Sequence, residues 1–211
     1  TRLVGSEMCI RDSLRTFYSK LPEDLIIKTI YKRKPTKTKS LEKEFIIEKG
    51  FLNLKNNTPR NLQLNWAKVF EKSLEHNLLI HPRFIKTLEE KRKILKKTTD
   101  SHQIQSLLNI FISKKNPIQA LHDFNDTRLF SEIFPEFGRV WGQVQFDIYH
   151  HYTTDEHLLL TLHNLSELRQ KSFYNEIYSR LNYREALHLA LLFHDIGKKG
   201  HKSHSVYGKE L

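Results

Sequence analysis

The chain contains few of the residues that end helices and strands. It has seven glycines and six prolines in 211 residues, about half the share found in an average protein. Long elements with few tight turns are therefore expected, which disfavours sandwiches and barrels and favours a mostly helical fold. A chain of this length is long enough to bury a sizeable core, in one domain or slightly more.

Hydrophobic periodicity predicts one small β-hairpin followed by a series of helices. Residues 44–54 read as two short strands around Glu48-Lys49-Gly50, and residues 35–42 read as a loop. A helical period begins at Asn61, and one apolar face is formed by Leu62, Leu64, Trp66, Val69, Phe70, Leu74, Leu78 and Leu79. Further helices are predicted from His81-Pro82 to Leu95 and over 104–112, 117–124, 129–133, 153–170, 173–181 and 183–193, with Pro135 ending one run.

Two of these predicted helices have features of their own. Thr153, with Glu156 three residues later, has the form of a capping box at the start of the helix over 153–170. The helix over 183–193 is apolar nearly all round, which predicts a central and buried position.

The positive charge is confined to the first two thirds of the chain. The formal net charge is +11, and the residues from 140 onward are neutral because eight acids balance eight bases. Two basic runs, over 28–39 and 86–97, carry much of the charge. A solvated surface is the simpler interpretation, and a docking surface for an acidic partner or a nucleic acid is the alternative. No aromatic RNA-binding strand, zinc finger or clear helix-turn-helix accompanies the runs, so nucleic acid is not expected as a partner.

The cysteine content and the apolar segments bear on the compartment. The single cysteine, Cys9, excludes an internal disulfide framework and a cysteine-based zinc site, and it fits a reducing compartment. The longest apolar stretch, residues 189–193, is far shorter than the roughly 20 residues of a membrane span. No secretory signal opens the chain, so a cytoplasmic protein is expected. Residues 1–13 fit nothing downstream and are interpreted as an artefactual or disordered leader.

Histidines cluster in the last part of the chain. His194 and Asp195 end the apolar helix, where a carboxylate is costly unless it is paired or bound to a metal. An imidazole next to a carboxylate is a donor set that a divalent cation accepts, and His157 is the candidate third ligand from another helix. In the alternative interpretation, His194 caps a carbonyl and Asp195 caps the next helix. His188 is interpreted as a structural, hydrogen-bonded histidine.

The sequence LLFHDIGKKG resembles the second motif of the HD phosphohydrolase superfamily. The longer segments FPEFGRVWGQVQFDIYHHYTTDEHLLLTLHNL and ALLFHDIGKKGHKSHSVYG resemble the HD domain of the bifunctional uridylyltransferase/uridylyl-removing enzymes, which modify the PII signal protein in bacterial nitrogen regulation. The resemblance begins at about Glu44. It implies that residues 14–60 are the tail of a nucleotidyltransferase region, 61–135 a helical linker region, and 136–211 the truncated N-terminal part of an all-α HD domain.

The resemblance also implies roles for individual residues. His157, His194 and Asp195 match the metal ligands, and Asp195 would also accept a proton from the attacking water. Lys198 would face a phosphate, and His204 would contact the phosphate or a second metal. Ser203 stands where the family has Asp, and the closing Asp ligand would lie beyond Leu211, so the site is expected to be incomplete. His150, His151 and His163 receive no role.

The implied reaction is hydrolysis of the tyrosyl-UMP phosphodiester on modified PII, with Mg²⁺ or Mn²⁺ as cofactor. The implied partners are PII and its UMP-modified form, with UTP and UMP bound by the full-length enzyme. The transferase motif of a Gly-Ser pair followed by paired acids has no counterpart, since the acids do not follow Gly5-Ser6. Two alternatives stay open. One is another HD-family phosphohydrolase acting on a small nucleotide, and the other is a non-catalytic helical interaction module.

Overall fold

The computed structural model describes residues 38–113, 115–143 and 153–197. Within these ranges the chain forms one three-stranded antiparallel sheet and nine helices. The strands are β1 (Lys39–Ser40), β2 (Phe45–Glu48) and β3 (Phe51–Leu54). The helices are α1 (Pro59–His76), α2 (Pro82–Lys97), α3 (Ser101–Ile112), α4 (Ile118–Asp126), α5 (Leu129–Ile133), α6 (Pro135–Val140), α7 (Thr154–Leu168), α8 (Ser172–Ser179) and α9 (Arg184–Phe193). The predicted fold class, mostly helical with one small hairpin, is confirmed.

Strands β2 and β3 form the predicted hairpin, in which Glu48 pairs with Phe51. The two turn residues, Lys49 and Gly50, both have positive φ, at 50° and 82°. Two such residues form the kind of turn that matches the twist of the flanking strands. The short strand β1 pairs with β2 in a segment that was predicted to be a loop. That part of the prediction was wrong, because two exposed polar residues show no alternating pattern.

Helix α1 begins and ends at residues with clear local causes. The Thr58 hydroxyl accepts a hydrogen bond from the backbone N–H of Asn61 at 3.3 Å, which caps the first turn. Asn77 adopts the left-handed conformation with φ 52° and ends the helix. Leu78 and Leu79, which the periodicity placed on the apolar face, therefore lie beyond the helix, and that assignment was wrong.

Stacked aromatic side chains form the centre of the core. The ring of Trp66 on α1 stacks on Phe124 of α4 with centroids 5.8 Å apart, and Phe130 of α5 stacks on Phe137 of α6 at 4.2 Å. All four side chains are buried, and such ring pairs stabilise a core beyond the area they bury. Leu64, predicted to lie on the core face of α1, is instead 59% exposed.

The apolar core continues across the predicted boundary between the linker region and the HD domain. One cluster of buried side chains extends from Phe45 in the sheet to Ile196 after α9. Pro135 follows the end of α5, as predicted, but it also begins α6. Proline is accepted at a first helical position because its missing N–H has no partner to lose there. The domain boundaries themselves stay predictions.

The basic run over residues 86–97 lies on helix α2, whose other side is buried. Leu88 and Leu95 lie in the core, and α2 packs on α5 and α4. On the polar side, Arg92 and Lys96 approach the Glu132 carboxylate of α5 at 3.5 and 3.9 Å. Part of the basic run therefore pairs with an acidic side chain of the same protein, Glu132, although surface ion pairs of this kind add little stability. Most of the other run, residues 28–37, lies outside the described residues.

Helix α7 begins directly after Thr153, but the predicted capping box does not form. The Thr153 side chain makes no cap, and its hydroxyl is buried without a hydrogen-bond partner. The Glu156 carboxylate lies instead 3.5 Å from Nδ1 of His122 on α4. The prediction was wrong because a capping box requires the Glu156 carboxylate to accept the backbone N–H of Thr153. In the structure this carboxylate faces a histidine on another helix instead.

Helix α9 was predicted to be central and buried, and this prediction was also wrong. His188 and Leu192 are its buried residues, whereas Ala186 and Ala190 are exposed. The helix packs along one side against α7 and α3, so its other apolar residues stay at or near the surface. None of the described helices has the length and apolar character needed to cross a membrane.

His188 has the structural role that was predicted for it. Its Nε2 lies 2.9 Å from the hydroxyl of Tyr178 on α8, and the Arg169 guanidinium lies 3.9 Å over the Tyr178 ring. Burial, followed by the positive charge of Arg169, lowers the pKa of His188 to about 4. The imidazole is therefore neutral in the folded protein at neutral pH.

We expect the His188→Gln variant to lose less stability than the parent protein when the pH falls. The pKa of His188 is about 4 in the folded protein and near 6.5 in an unfolded chain, so the unfolded chain binds the proton first. This group therefore costs stability as the pH falls from about 6.5 toward 4. Glutamine offers Tyr178 a partner but does not titrate. Urea unfolding at several pH values checks this against His102→Gln, an exposed control. Equal pH dependence in both variants would contradict the prediction.

Candidate metal centre

Three residues predicted as metal ligands lie close together in the structure. His157 lies in the first turn of α7, His194 directly follows the last residue of α9, and Asp195 comes next. The Nε2 atoms of His157 and His194 are 3.3 Å apart, and each lies 3.5 Å from Oδ2 of Asp195. The packing of α7 against α9 thus brings one donor from α7 and two donors from the end of α9 to one point.

A backbone contact orients His194 so that Nε2 faces the cluster. Its Nδ1 lies 2.7 Å from the carbonyl oxygen of Leu191, one turn earlier. Nδ1 carries the hydrogen for this bond, which leaves the lone pair of the neutral ring on Nε2. Histidines that bind metals usually have such a partner at the second ring nitrogen. His194 therefore caps a carbonyl through Nδ1, as the alternative interpretation predicted. Its Nε2 faces His157 and Asp195 at the same time.

The donor set fits one divalent cation. Ligand bonds of about 2.0–2.2 Å separate neighbouring ligand atoms by about 2.8–3.1 Å at octahedral angles and by about 3.3–3.6 Å at tetrahedral angles. The three observed distances of 3.3, 3.5 and 3.5 Å match the tetrahedral range. Asp195 is 7% exposed, and a buried carboxylate is costly without a positive partner. Two imidazoles and a carboxylate suit Mn, Fe, Co or Zn, and Mg²⁺ when further oxygen ligands complete the shell.

A second buried carboxylate lies two residues before His157. Asp155 has no exposed surface, and its Oδ1 accepts the backbone N–H of Gly142 at 3.0 Å. Its Oδ2 accepts a hydrogen bond from the side-chain amide of Asn125 on α4 at 3.1 Å. Sequence reasoning missed these contacts. The available signal was the Asp-Glu-His run itself, in which an acid precedes the candidate ligand within the first turn.

The other candidate residues and the histidines without an assigned role fall into two groups. Outside the described ranges lie Lys198, Ser203, His204, His150 and His151. His163 is on the same helix as His157, but its Nδ1 pairs with Oδ1 of Asn116 at 3.0 Å. His163 therefore offers a matched control for experiments on the cluster.

Fold and site together define a helical protein with a preformed cluster of two histidines and one aspartate. Comparison with curated proteins identifies its family. The bifunctional uridylyltransferase/uridylyl-removing enzyme of Zymomonas mobilis subsp. mobilis is 30% identical over 151 residues, which cover 68% of this chain and 16% of that protein. The enzymes of the same name from Rhodospirillum rubrum and Cereibacter sphaeroides are 30% and 29% identical over 80% and 71% of this chain.

The chain belongs to the family of bifunctional uridylyltransferase/uridylyl-removing enzymes. It spans less than a fifth of the length of these relatives, since the matches cover 16–19% of each. No family model matches the chain. The family is thus identified by similarity to individual proteins.

We expect His157→Ala to weaken Mn²⁺ binding strongly, because it removes one of three donors and the one supplied by α7. The loss should exceed the roughly 10–100-fold that follows when a ligand loses an outer hydrogen-bond partner. Titration calorimetry measures it, with His163→Ala on the same helix as the control that should bind like the parent. A His157→Ala variant with the affinity of the parent would show that the ligand lies elsewhere.

Proposed function

We propose that this chain carries part of the metal-dependent uridylyl-removing site, which hydrolyses the bond between UMP and a tyrosine of the PII signal protein. The observation that carries the proposal is the convergence of donor atoms from His157, His194 and Asp195. The names of the relatives support it, because they include uridylyl removal. In this proposal the partners are PII and its UMP-modified form, the whole enzyme also binds UTP and UMP, and the compartment is the bacterial cytoplasm.

The proposed reaction is substitution at phosphorus. The oxygen of a water molecule forms a bond to phosphorus, the bond from phosphorus to the tyrosine oxygen breaks, and the products are UMP and an unmodified tyrosine. A bound divalent cation, Mg²⁺ or Mn²⁺, supplies positive charge at the phosphoryl group and lowers the pKa of a coordinated water. In this proposal the chain's own residues bind the cation, accept the proton that the water releases and offset the charge on the phosphoryl oxygens.

Each residue has a distinct part in this proposal. The neutral imidazoles of His157 and His194 donate through Nε2, and the Asp195 carboxylate adds negative charge to the donor set. Asp195 also accepts the proton that the attacking water releases. Lys198, three residues further on, offsets the charge that develops on the phosphoryl oxygens. His204 contacts the phosphate or a second cation. The parts of Lys198 and His204 rest on the resemblance to the family.

We expect Asp195→Asn, made in the whole enzyme, to abolish Mn²⁺-dependent release of UMP from uridylylated PII, with little change in the unfolding midpoint of the metal-free protein. The carboxylate contributes ligand charge and proton acceptance, and an asparagine of the same shape supplies neither. Release of UMP is measured by chromatography beside a Mn²⁺ titration of each protein. Glu185→Gln, which removes an exposed carboxylate from α9, is the matched control. Full activity in Asp195→Asn would contradict the assignment.

Lys198→Ala should separate substrate binding from metal binding. Because the proposed contact of Lys198 is with phosphate alone, the variant should bind Mn²⁺ like the parent and turn over more slowly. The same two measurements check this. A loss of Mn²⁺ affinity equal to that of His157→Ala would contradict the proposed part of Lys198.

The same assays distinguish the two alternative functions. Hydrolysis of free nucleotides without release of UMP from PII would identify a phosphohydrolase for small nucleotides. A protein that binds no Mn²⁺ and hydrolyses neither substrate would be a helical interaction module. Release of UMP from modified PII that follows the integrity of the His157, His194 and Asp195 cluster supports the proposed function against both.

A further inference from the structure

Asp155 is the fully buried polar link between the first turn of α7 and the rest of the protein. The first turn of any helix has backbone N–H groups without partners inside the helix. Thr153 provides no side-chain cap here, and the Thr154 N–H donates to the Gln143 carbonyl in the turn after α6 at 2.9 Å. Asp155 is fully buried, and its two oxygens accept hydrogen bonds from the Gly142 backbone and the Asn125 amide. One carboxylate therefore joins α7 to α4 and to the turn after α6.

The geometry of the metal cluster makes this attachment important. His157 follows Asp155 by two residues within the same turn, whereas His194 and Asp195 lie at the end of another helix. The three donor atoms are separated by 3.3–3.5 Å, and sites of this kind work only when they are held to within about 0.5 Å. A first turn that shifts or frays would move one donor relative to the other two.

We propose that Asp155 is a positioning residue for the metal centre, acting on His157 through the first turn of α7. This inference rests on the proposed function, because it assumes that the cluster binds a cation. Asp155 itself touches neither the cation nor the substrate. Two other contacts hold the same turn: Glu156 faces His122 on α4, and the Thr154 N–H donates to the Gln143 carbonyl. The pairing of Asp155 with Asn125 is fully buried.

The Asn125 side chain permits a sharp test of the hydrogen bond. Its Nδ2 donates to Asp155, while its Oδ1 is buried without a hydrogen-bond partner. In Asp155→Asn, rotation of the Asn125 amide would present Oδ1 to the new NH₂ group, and the Gly142 bond could be kept. Asn125→Asp would instead place two carboxylates against each other. Combining both changes exchanges the two partners and restores one donor and one acceptor.

The experiment compares Asp155→Ala, Asp155→Asn, Asn125→Asp and the exchanged double variant in the full chain. The readouts are the Kd for Mn²⁺ and the visible absorption spectrum of bound Co²⁺, which reports ligand geometry. Unfolding midpoints without metal are measured in parallel. Ser73→Ala is the control for a purely structural loss, because it removes a hydroxyl that donates to the Leu78 carbonyl at 2.6 Å.

We expect Asp155→Ala and Asn125→Asp to bind Mn²⁺ about tenfold more weakly, as for other losses of outer support, and to change the Co²⁺ spectrum. Asp155→Asn and the double variant should recover most of the affinity, and Ser73→Ala should keep both the affinity and the spectrum. An Asp155→Ala variant with the parent's Kd and spectrum would overturn the inference. If Asp155→Ala does not fold, equal affinity in Asn125→Asp and the double variant would overturn it. A parent protein that binds no Mn²⁺ would overturn the metal centre and this inference together.

Discussion

The packing of α7 against α9 is the contact on which the candidate site depends. It is mostly apolar, with Leu158, Leu162 and Leu192 buried in the shared core. This contact brings His157 to residues 37 and 38 positions later in the chain. Since the three donor atoms come from the ends of two packed helices, whatever fixes the two helices also fixes the distances between the donors. The site is therefore a product of the helical core rather than of a loop.

The helices before residue 135 take part in this arrangement. Asn125 of α4 and the turn after α6 hold the first turn of α7, and α3 packs against α9. The apolar cluster also extends without a break from the hairpin to Ile196. The segment predicted to be a linker region thus supports the donor cluster.

Local and periodic signals in the sequence predicted much of this structure. The hairpin at 44–54, most of the helices and the grouping of His157 with His194-Asp195 follow from alternation, period and residue chemistry. Two of the errors arise because contacts between helices distant in sequence decide the outcome. Glu156 faces His122 rather than capping its own helix, and one-sided packing leaves much of α9 exposed. Asp155 was missed because only the fold shows that Gly142 and Asn125 lie beside it.

The electrostatics of the two helix ends complement the donor set. The cluster lies at the C-terminal end of α9, where the partial negative charge of the helix dipole favours a cation. It also lies at the N-terminal end of α7, where the partial positive charge disfavours one. Asp155 and Glu156 occupy that first turn, and negative side chains there offset the helix dipole. Asp155 and Glu156 therefore attach the helix and also offset the positive end of its dipole, which on its own would repel a cation bound at His157.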